Sequence, residues 1–333
     1  MAEPPGAPGV EPTISAVESI AVVRDSESGR LLQPVRYGGR AVSPAEFVAA
    51  VADLAARDGS AAWFAAAVNA AAYAVTRLGD GAAERVWSVD AGALVTACAE
   101  PTGRLTADRA QFRLTGRWES VTGADVADWL LLSALDGDSV RYVLLPRGVV
   151  QVDGDVGRRG LNAAGIGDVT VSDAIVDDGS VFSPPDDNAW DTGEFDDVPP
   201  PYRVLAGAGQ AAAVIGAASG VWQAHVGQVR RRLATSYGSE DTTELTASAV
   251  LVATAESDID AARLQLTTAL STDADADCAT TALRQAVTRA RNAADQLLSS
   301  GGRHALDATD PVARLWLDVL AGYRLTIRSV AAG

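Results

Sequence analysis

Residues 113–129, RLTGRWESVTGADVADW, decide how the rest of the chain is read. Phe112, Leu114 and Trp118 alternate with polar residues, the period-two signal of a half-buried strand. Beyond a polar, Gly-containing turn, Trp129-Leu130-Leu131-Leu132 begins a second apolar run. The stretch reads as two strands meeting at Glu119-Ser120-Val121-Thr122-Gly123, where hydroxyls and free backbone amides stand at a strand end. A Trp followed by a hydroxyl-Gly turn can take the flat face of a ring and hydrogen-bond its edge. An ordinary β-hairpin with a core tryptophan accounts for the same residues, and both readings stand at this point.

Outward from this stretch the strand signal extends from about Leu94 to Phe182. Its apolar runs are Leu94–Ala97, Gln111–Leu114, Trp129–Ala134, Val140–Leu145, Val149–Val152 and Val169–Val176, separated by turns such as Asp136-Gly137-Asp138. Upstream the period is helical. A short helix is expected within 15–30. Ser43, Pro44 and Glu46 then form a helix start with a capping box. Asp58-Gly59 ends that helix and Ser60 starts another, whose apolar face runs from Trp63 to Leu78; a third helix spans Ala82 to Trp87. Downstream, helical patterns over 202–236, 242–270, 274–299 and 310–330 argue for a bundle.

The expected class is α+β: N-terminal helices, a central β-barrel or sandwich, and a C-terminal four-helix bundle. The expected divisions are a flexible tail over 1–14, a shortened helical domain over 15–90, a β-domain over 91–185, a Pro- and Asp-rich linker over 186–201, and the bundle over 202–333.

The chain has 333 residues, enough for two or three packed units, and a net charge of −16 with every cation an arginine. That charge repels nucleic-acid backbone and anionic lipid, so neither is an expected partner. Cys98 and Cys278 make no metal or disulfide pattern, and the N-terminus has no signal-peptide pattern, so a cytoplasmic location is expected. The run Val204 to Trp222 is mostly Ala and Gly, which supply little transfer energy; it reads as a tightly packed helix, not a membrane span.

Several segments together resemble the acyl-CoA dehydrogenase superfamily, and most nearly its branch of two-component flavin monooxygenases. Gly116, Trp118 and Gly123 match a G-x-W-x-x-x-S-G pattern, with Thr122 in the serine position. Pro34, Gly38, Gly39, Asp58, Ser60 and Trp63 match an N-terminal pattern, and CAEPTG at Cys98 to Gly103 looks like the loop before the first flavin-side strand. GLNAAGIGDVTVSDAIV at Gly160 to Val176 looks like G-L-R-G-T-G-S-x-D-V. AESDIDAAR at Ala255 to Arg263 and the stretch Ala294 to Gly322 look like the closing bundle helices. The likeness spans about Leu31 to Leu320 and rests on the shared order of these segments.

The resemblance implies FAD, or reduced flavin supplied in trans, between the β-domain and the bundle. It makes Trp118, Thr122 and Gly123 ring-side candidates. An arginine among Arg230, Arg231 and Arg232 becomes a pyrophosphate candidate, since a guanidinium pairs two phosphate oxygens; a solvated helix end is the plain alternative. Gly301 and Gly302 are candidates for backbone approach to the nucleotide, or else a helix C-cap. The resemblance further implies a homo- or hetero-oligomer, a dimer or tetramer with a homologous subunit, a flavin reductase as possible partner, and a small-molecule substrate such as an acyl thioester.

The departures bear on function. The family's Thr and Ser appear as Ala164 and Ile166, its preceding Trp as Val156, and P-L-Q-R-x-x-R-D as Pro311 to Asp318 without the Gln and the second Arg. Residues 319–333 contain neither the acid of many dehydrogenases nor the His of many monooxygenases. Tyr323 and Arg324 are the polar candidates nearby, with Thr326 beyond. His304 follows the GG turn; it and His225 are the only histidines, and a lone His is more often structural. Glu256 and Asp260, one turn apart, read as a solvated helix face. The first functional reading is flavin-dependent dehydrogenation of an acyl thioester or a related two-electron step. The alternatives are a two-component monooxygenase, and a catalytically incomplete subunit that completes a homologous partner's site.

Overall fold

The computed structural model describes residues 16–109, 111–154, 159–184, 200–235, 242–271, 275–300, 307 and 309–331. Its N-terminal helices are α1 (Ala16–Arg24), α2 (Pro44–Ala55), α3 (Gly59–Arg77) and α4 (Asp80–Trp87). The capping box at α2 is present: the Ser43 side chain accepts from the Glu46 amide, while the Glu46 carboxylate accepts from the Ser43 amide. The next boundary differs from expectation. Asp58 does not close α2; it caps α3, its carboxylate accepting the Ala61 amide at 3.0 Å. Helix α3 therefore begins at Gly59, one residue before Ser60.

Seven strands follow: β1 (Val95–Asp108), β2 (Gln111–Val121), β3 (Trp129–Asp136), β4 (Ser139–Pro146), β5 (Gln151–Gly154), β6 (Gly167–Asp177) and β7 (Val181–Phe182). They form one sheet in the order β5-β6-β2-β1-β3-β4-β7. Strands β2 and β3 do not form the hairpin that the opening stretch allows. Strand β1 lies between them, antiparallel to β2 (Leu105 opposite Leu114) and parallel to β3 (Thr96 opposite Leu130). The segment CAEPTG, expected as a loop, is part of β1, with a register break between Cys98 and Gly103. Gly103 is needed because the Trp118 ring lies across it: a Cβ there would sit 2.3 Å from Trp118 Cζ2. Val143 and Leu145 on β4 share one buried cluster with Val169 and Val171 on β6. Strands far apart in the sheet order thus meet, so the sheet folds back on itself around that cluster. Its other face puts Leu131 and Leu144 against α3 and α4.

The bundle is α5 (Tyr202–Thr235), α6 (Thr242–Ala269), α7 (Ala276–Ser300) and α8 (Pro311–Ala331). Helix α5 is its axis. Among the described residues one helix, Tyr202–Ala234, is long and apolar enough to cross a membrane, with mean hydropathy 1.5. That window is 89% buried inside the fold, so the helix serves as a core element here. Small residues bring it close to α2: a Cβ at Gly216 would lie 2.2 Å from the Ala52 carbonyl oxygen, and one at Gly220 2.3 Å from that of Ala56.

Candidate functional site

A cavity of about 510 Å³ opens where the sheet meets the bundle. Cavities of this size hold small organic ligands or cofactors. One wall is α3, through Trp63, Ala66, Ala67 and Ala70. Strand β1 adds Cys98 to Pro101, and the end of β2 adds Glu119 to Thr122. The bundle side is the start of α5, the start of α7 and the C-terminal half of α8. No one sequence segment contains the site.

The β2 end is built with care for direction. The Thr122 hydroxyl accepts a hydrogen bond from Trp63 Nε1 at 3.0 Å, which joins α3 to the sheet. That bond uses a lone pair and leaves the hydroxyl proton available. The Thr122 carbonyl accepts the Thr96 hydroxyl. Gly123 follows at φ 73°, a left-handed turn that suits glycine, and its amide donates to the Ala164 carbonyl at 3.1 Å. A Cβ on Gly123 would lie 2.6 Å from the Phe64 ring.

The charged groups lie at the mouth. Arg328 of α8 reaches Glu119 at 3.2 Å and Glu100 at 4.0 Å, bridging bundle and sheet. Ser329 donates to Gln210 Oε1 at 2.7 Å. Deeper groups are neutral. Burial pushes the Cys98 thiol up to about 11, so it stays protonated at pH 7. Burial also raises the Tyr202 phenol, with Tyr142 and Cys98 adding to the shift, so Tyr202 remains a hydrogen-bond donor.

The expected site residues separate on this map. Thr122 is on the cavity wall and Gly123 shapes the turn behind it. Trp118 is not on the wall: it is fully buried in the sheet core, with Nε1 donating to the Ser133 carbonyl at 2.8 Å. The resemblance implies a ring-side place for it; its place in the structure is the core, as strand alternation alone implies. Truncating Trp118 would empty the core, so it would report on folding and not on binding. Arg230, Arg231 and Arg232 are at the exposed far end of α5. At 1.5 Å per residue they stand about 35 Å along the helix from the cavity residue Gly207. Any contact they make to a nucleotide is therefore outside this chain's own cavity.

Gly301, Gly302 and His304 lie outside the described residues, as does Val156. Tyr323 packs on the bundle core under the Arg291 guanidinium, 5.4 Å from its ring centre, and Arg324 is exposed; neither lines the cavity. Leu325, Arg328 and Ser329 represent α8 there instead. Thr326 is buried and donates to the Gly322 carbonyl. His225 is buried, neither ring nitrogen is hydrogen-bonded to the described residues, and burial lowers its pKa. Glu256 is exposed, and Asp260 pairs with Arg263 at 2.9 Å. Ala164 and Ile166 are buried in the bundle-side core.

Asp318, which sits at the final Asp of the resembled P-L-Q-R-x-x-R-D pattern, is also away from the cavity. It is buried, and its Oδ1 accepts the Leu161 amide at 2.6 Å. Burial raises its pKa to about 7; nearby Asp58 adds to this, while the Leu161 amide and Arg314 oppose it.

The residues fit one part of a flavin. Alanines, Gly207, Trp63 and Tyr202 make a wall for a flat ring, and the Thr122 hydroxyl can donate to a polar ring edge. They do not fit its phosphates. The cavity wall carries three carboxylates (Glu100, Glu119, Asp277) against two arginines (Arg203, Arg328), and Arg328 is already paired.

Residues 208–327 match the family described as acyl-CoA dehydrogenase, C-terminal domain. The oxygenase subunit HsaA of a flavin-dependent monooxygenase from Rhodococcus jostii (strain RHA1) is 27% identical over 327 residues, covering 92% of this chain and 86% of that protein. HsaA from Mycobacterium tuberculosis (strain ATCC 25618 / H37Rv) is 26% identical over 327 residues, covering 92% and 83%. Among solved structures, 3-HSA hydroxylase from Rhodococcus sp. RHA1 superposes with a TM-score of 0.82 at 24% identity, over 94% of this chain and 87% of that one. XiaF from Streptomyces sp., in complex with FADH2 and glycerol, gives 0.79 at 20% identity, over 95% and 88%. The fold is acyl-CoA dehydrogenase-like, and residues 208–327 match that family's C-terminal domain. Over nearly its whole length the chain is similar to oxygenase subunits of flavin-dependent monooxygenases.

Proposed function

We propose that this chain is the oxygenase component of a two-component flavin-dependent monooxygenase, receiving reduced flavin from a separate reductase. The observation that carries this reading is the similarity to HsaA oxygenase subunits over 92% of the chain. The reduced flavin would supply the two electrons needed to activate dioxygen. Thr122, fixed by Trp63, would orient the ring edge, and the alanine-rich wall would keep water away from it. Cys98 and Tyr202 would act as neutral donors near the ring, since both hold their protons at pH 7. The flavin phosphates would be held by a second subunit, because this cavity's wall is net acidic. Dimers or tetramers and a cytoplasmic location accord with this reading.

The cavity favours this reading over acyl thioester dehydrogenation. Dehydrogenation needs a carboxylate within hydrogen-bond reach of the α-proton. Glu100 and Glu119 are instead engaged by Arg328 at the mouth, Asp277 is exposed at the start of α7, and α8 has no acid after Asp318. The test is anaerobic titration with FADH2, then turnover with a flavin reductase, NADH, oxygen and a panel of phenols. Reductase-dependent hydroxylated product supports the proposal. Bleaching of bound FAD by an acyl-CoA, without reductase, would overturn it in favour of a dehydrogenase.

A further inference from the structure

Strand β2 breaks register with β6 at the cavity. Trp118 is opposite Val169 and Val121 is opposite Gly167, so Glu119 and Ser120 together face the single residue Asp168. This is a β-bulge, a device that re-aims side chains at a strand end. It lets two successive residues sit between inward-facing ones: Trp118 and Val121 pack in the sheet core, whereas Glu119, Ser120 and Thr122 are on the cavity wall. Ser120 takes the extra residue's conformation, at φ 55°. A non-glycine side chain in that region is strained, and glycine would relieve it.

Asp168 holds the strained residue in place. Its Oδ1 accepts the Ser120 amide at 2.9 Å, and its Oδ2 accepts Arg117 at 2.7 Å. The Ser120 hydroxyl makes no hydrogen bond to the described residues, and Ser120 is one of the cavity-lining residues beside Thr122. Strain of this kind, kept by a dedicated partner and opening onto a cavity, points to a use for the side chain it presents.

We propose that Asp168 is a positioning residue that clamps the bulge, so that the Ser120 hydroxyl is a second donor, beside Thr122, to the polar edge of the flavin ring. The role rests on the reading of the cavity as a flavin site. A purely structural serine would behave differently under substitution, because strain and hydroxyl can be removed separately.

The experiment compares Ser120→Ala, Ser120→Gly, Asp168→Asn and Asp168→Ala in the full chain, by thermal melting and by FAD titration. Ser120→Ala keeps the strain and should melt with the wild type, while binding FAD about tenfold more weakly for one lost hydrogen bond. Ser120→Gly should melt higher and still bind more weakly. Asp168→Asn retains an acceptor and should bind between the wild type and Asp168→Ala. If both Ser120 variants bind FAD as the wild type does, the role is overturned, whatever the Asp168 variants do. If the wild type binds neither FAD nor FADH2, the functional reading falls and this role with it, an outcome distinct from loss confined to the variants.

Discussion

Two left-handed residues flank the junction of sheet and bundle, and each is held by a carboxylate. Ser120, at φ 55°, donates its amide to Asp168; Leu161, at φ 54°, donates its amide to Asp318. The local geometry is the same and the surroundings are opposite. Asp168 is at the surface beside Arg117, which balances its charge. Asp318 is buried beside Asp58, and its pKa rises to about 7. One clamp is electrically compensated and open to ligand; the other is a structural tie whose charge costs free energy. The same hydrogen bond therefore has a functional reading in one place and a pH-dependent one in the other.

The largest expected effect is at the buried clamp. Asp318→Ala removes the acceptor of the Leu161 amide, and leaving such a group unpaired should cost about 3 kcal/mol, read by urea denaturation. A loss no larger than a surface substitution would show that the Leu161 turn holds without its carboxylate.

Asp318→Asn sharpens the contrast through pH. The folded pKa of Asp318 is about 7, above the unfolded value of about 3.9. The folded protein thus keeps a proton that the unfolded chain has lost between those values. Its contribution to stability is full below about pH 4 and declines as pH rises toward 7, by up to about 1.4 kcal/mol per unit. Above the folded pKa the contribution is gone. Asp318→Asn should remove this slope, so that the stability difference between variant and wild type changes from pH 4.5 to 7 and is constant above 8. A difference that is flat across the whole range would refute the buried-acid account.

The smallest effect is at the open clamp. Arg117→Ala breaks an ion pair whose side chains are 57% and 29% exposed, so it should move the urea midpoint little. A loss as large as that of Asp318→Ala would mean that the two clamps are not different in kind.

Much of the fold was legible because it is local. The capping box at Ser43, the four long bundle helices and the inward Trp118 follow from spacing alone. What was not legible depends on pairing between distant residues. Strand β1 continues past CAEPTG because β3 pairs with it on both sides of the register break, at Cys98 and at Gly103, and no periodicity within six residues reveals that. The bulge exists only relative to β6, so Ser120 looked like a turn residue and Asp168 like part of a pattern. The resemblance implies ring-side places for both Thr122 and Trp118; Thr122 lines the cavity, whereas Trp118 lies inside the sheet, where its alternation puts it. Arg328 and Tyr202 gave no local signal as wall residues; they join the cavity through helix packing.

The contact of α5 with α2 has a mechanical meaning. Gly216 and Gly220 leave no clearance over the backbone of Ala52 and Ala56, so the two helices meet like a key in its slot. A slide of one residue, about 1.5 Å, would drive the methyl group of a neighbouring alanine into a carbonyl. Helices α2 and α5 are thus expected to travel as a single rigid part. At the cavity mouth a second fastening, the Arg328–Glu119 ion pair, joins α8 to the sheet.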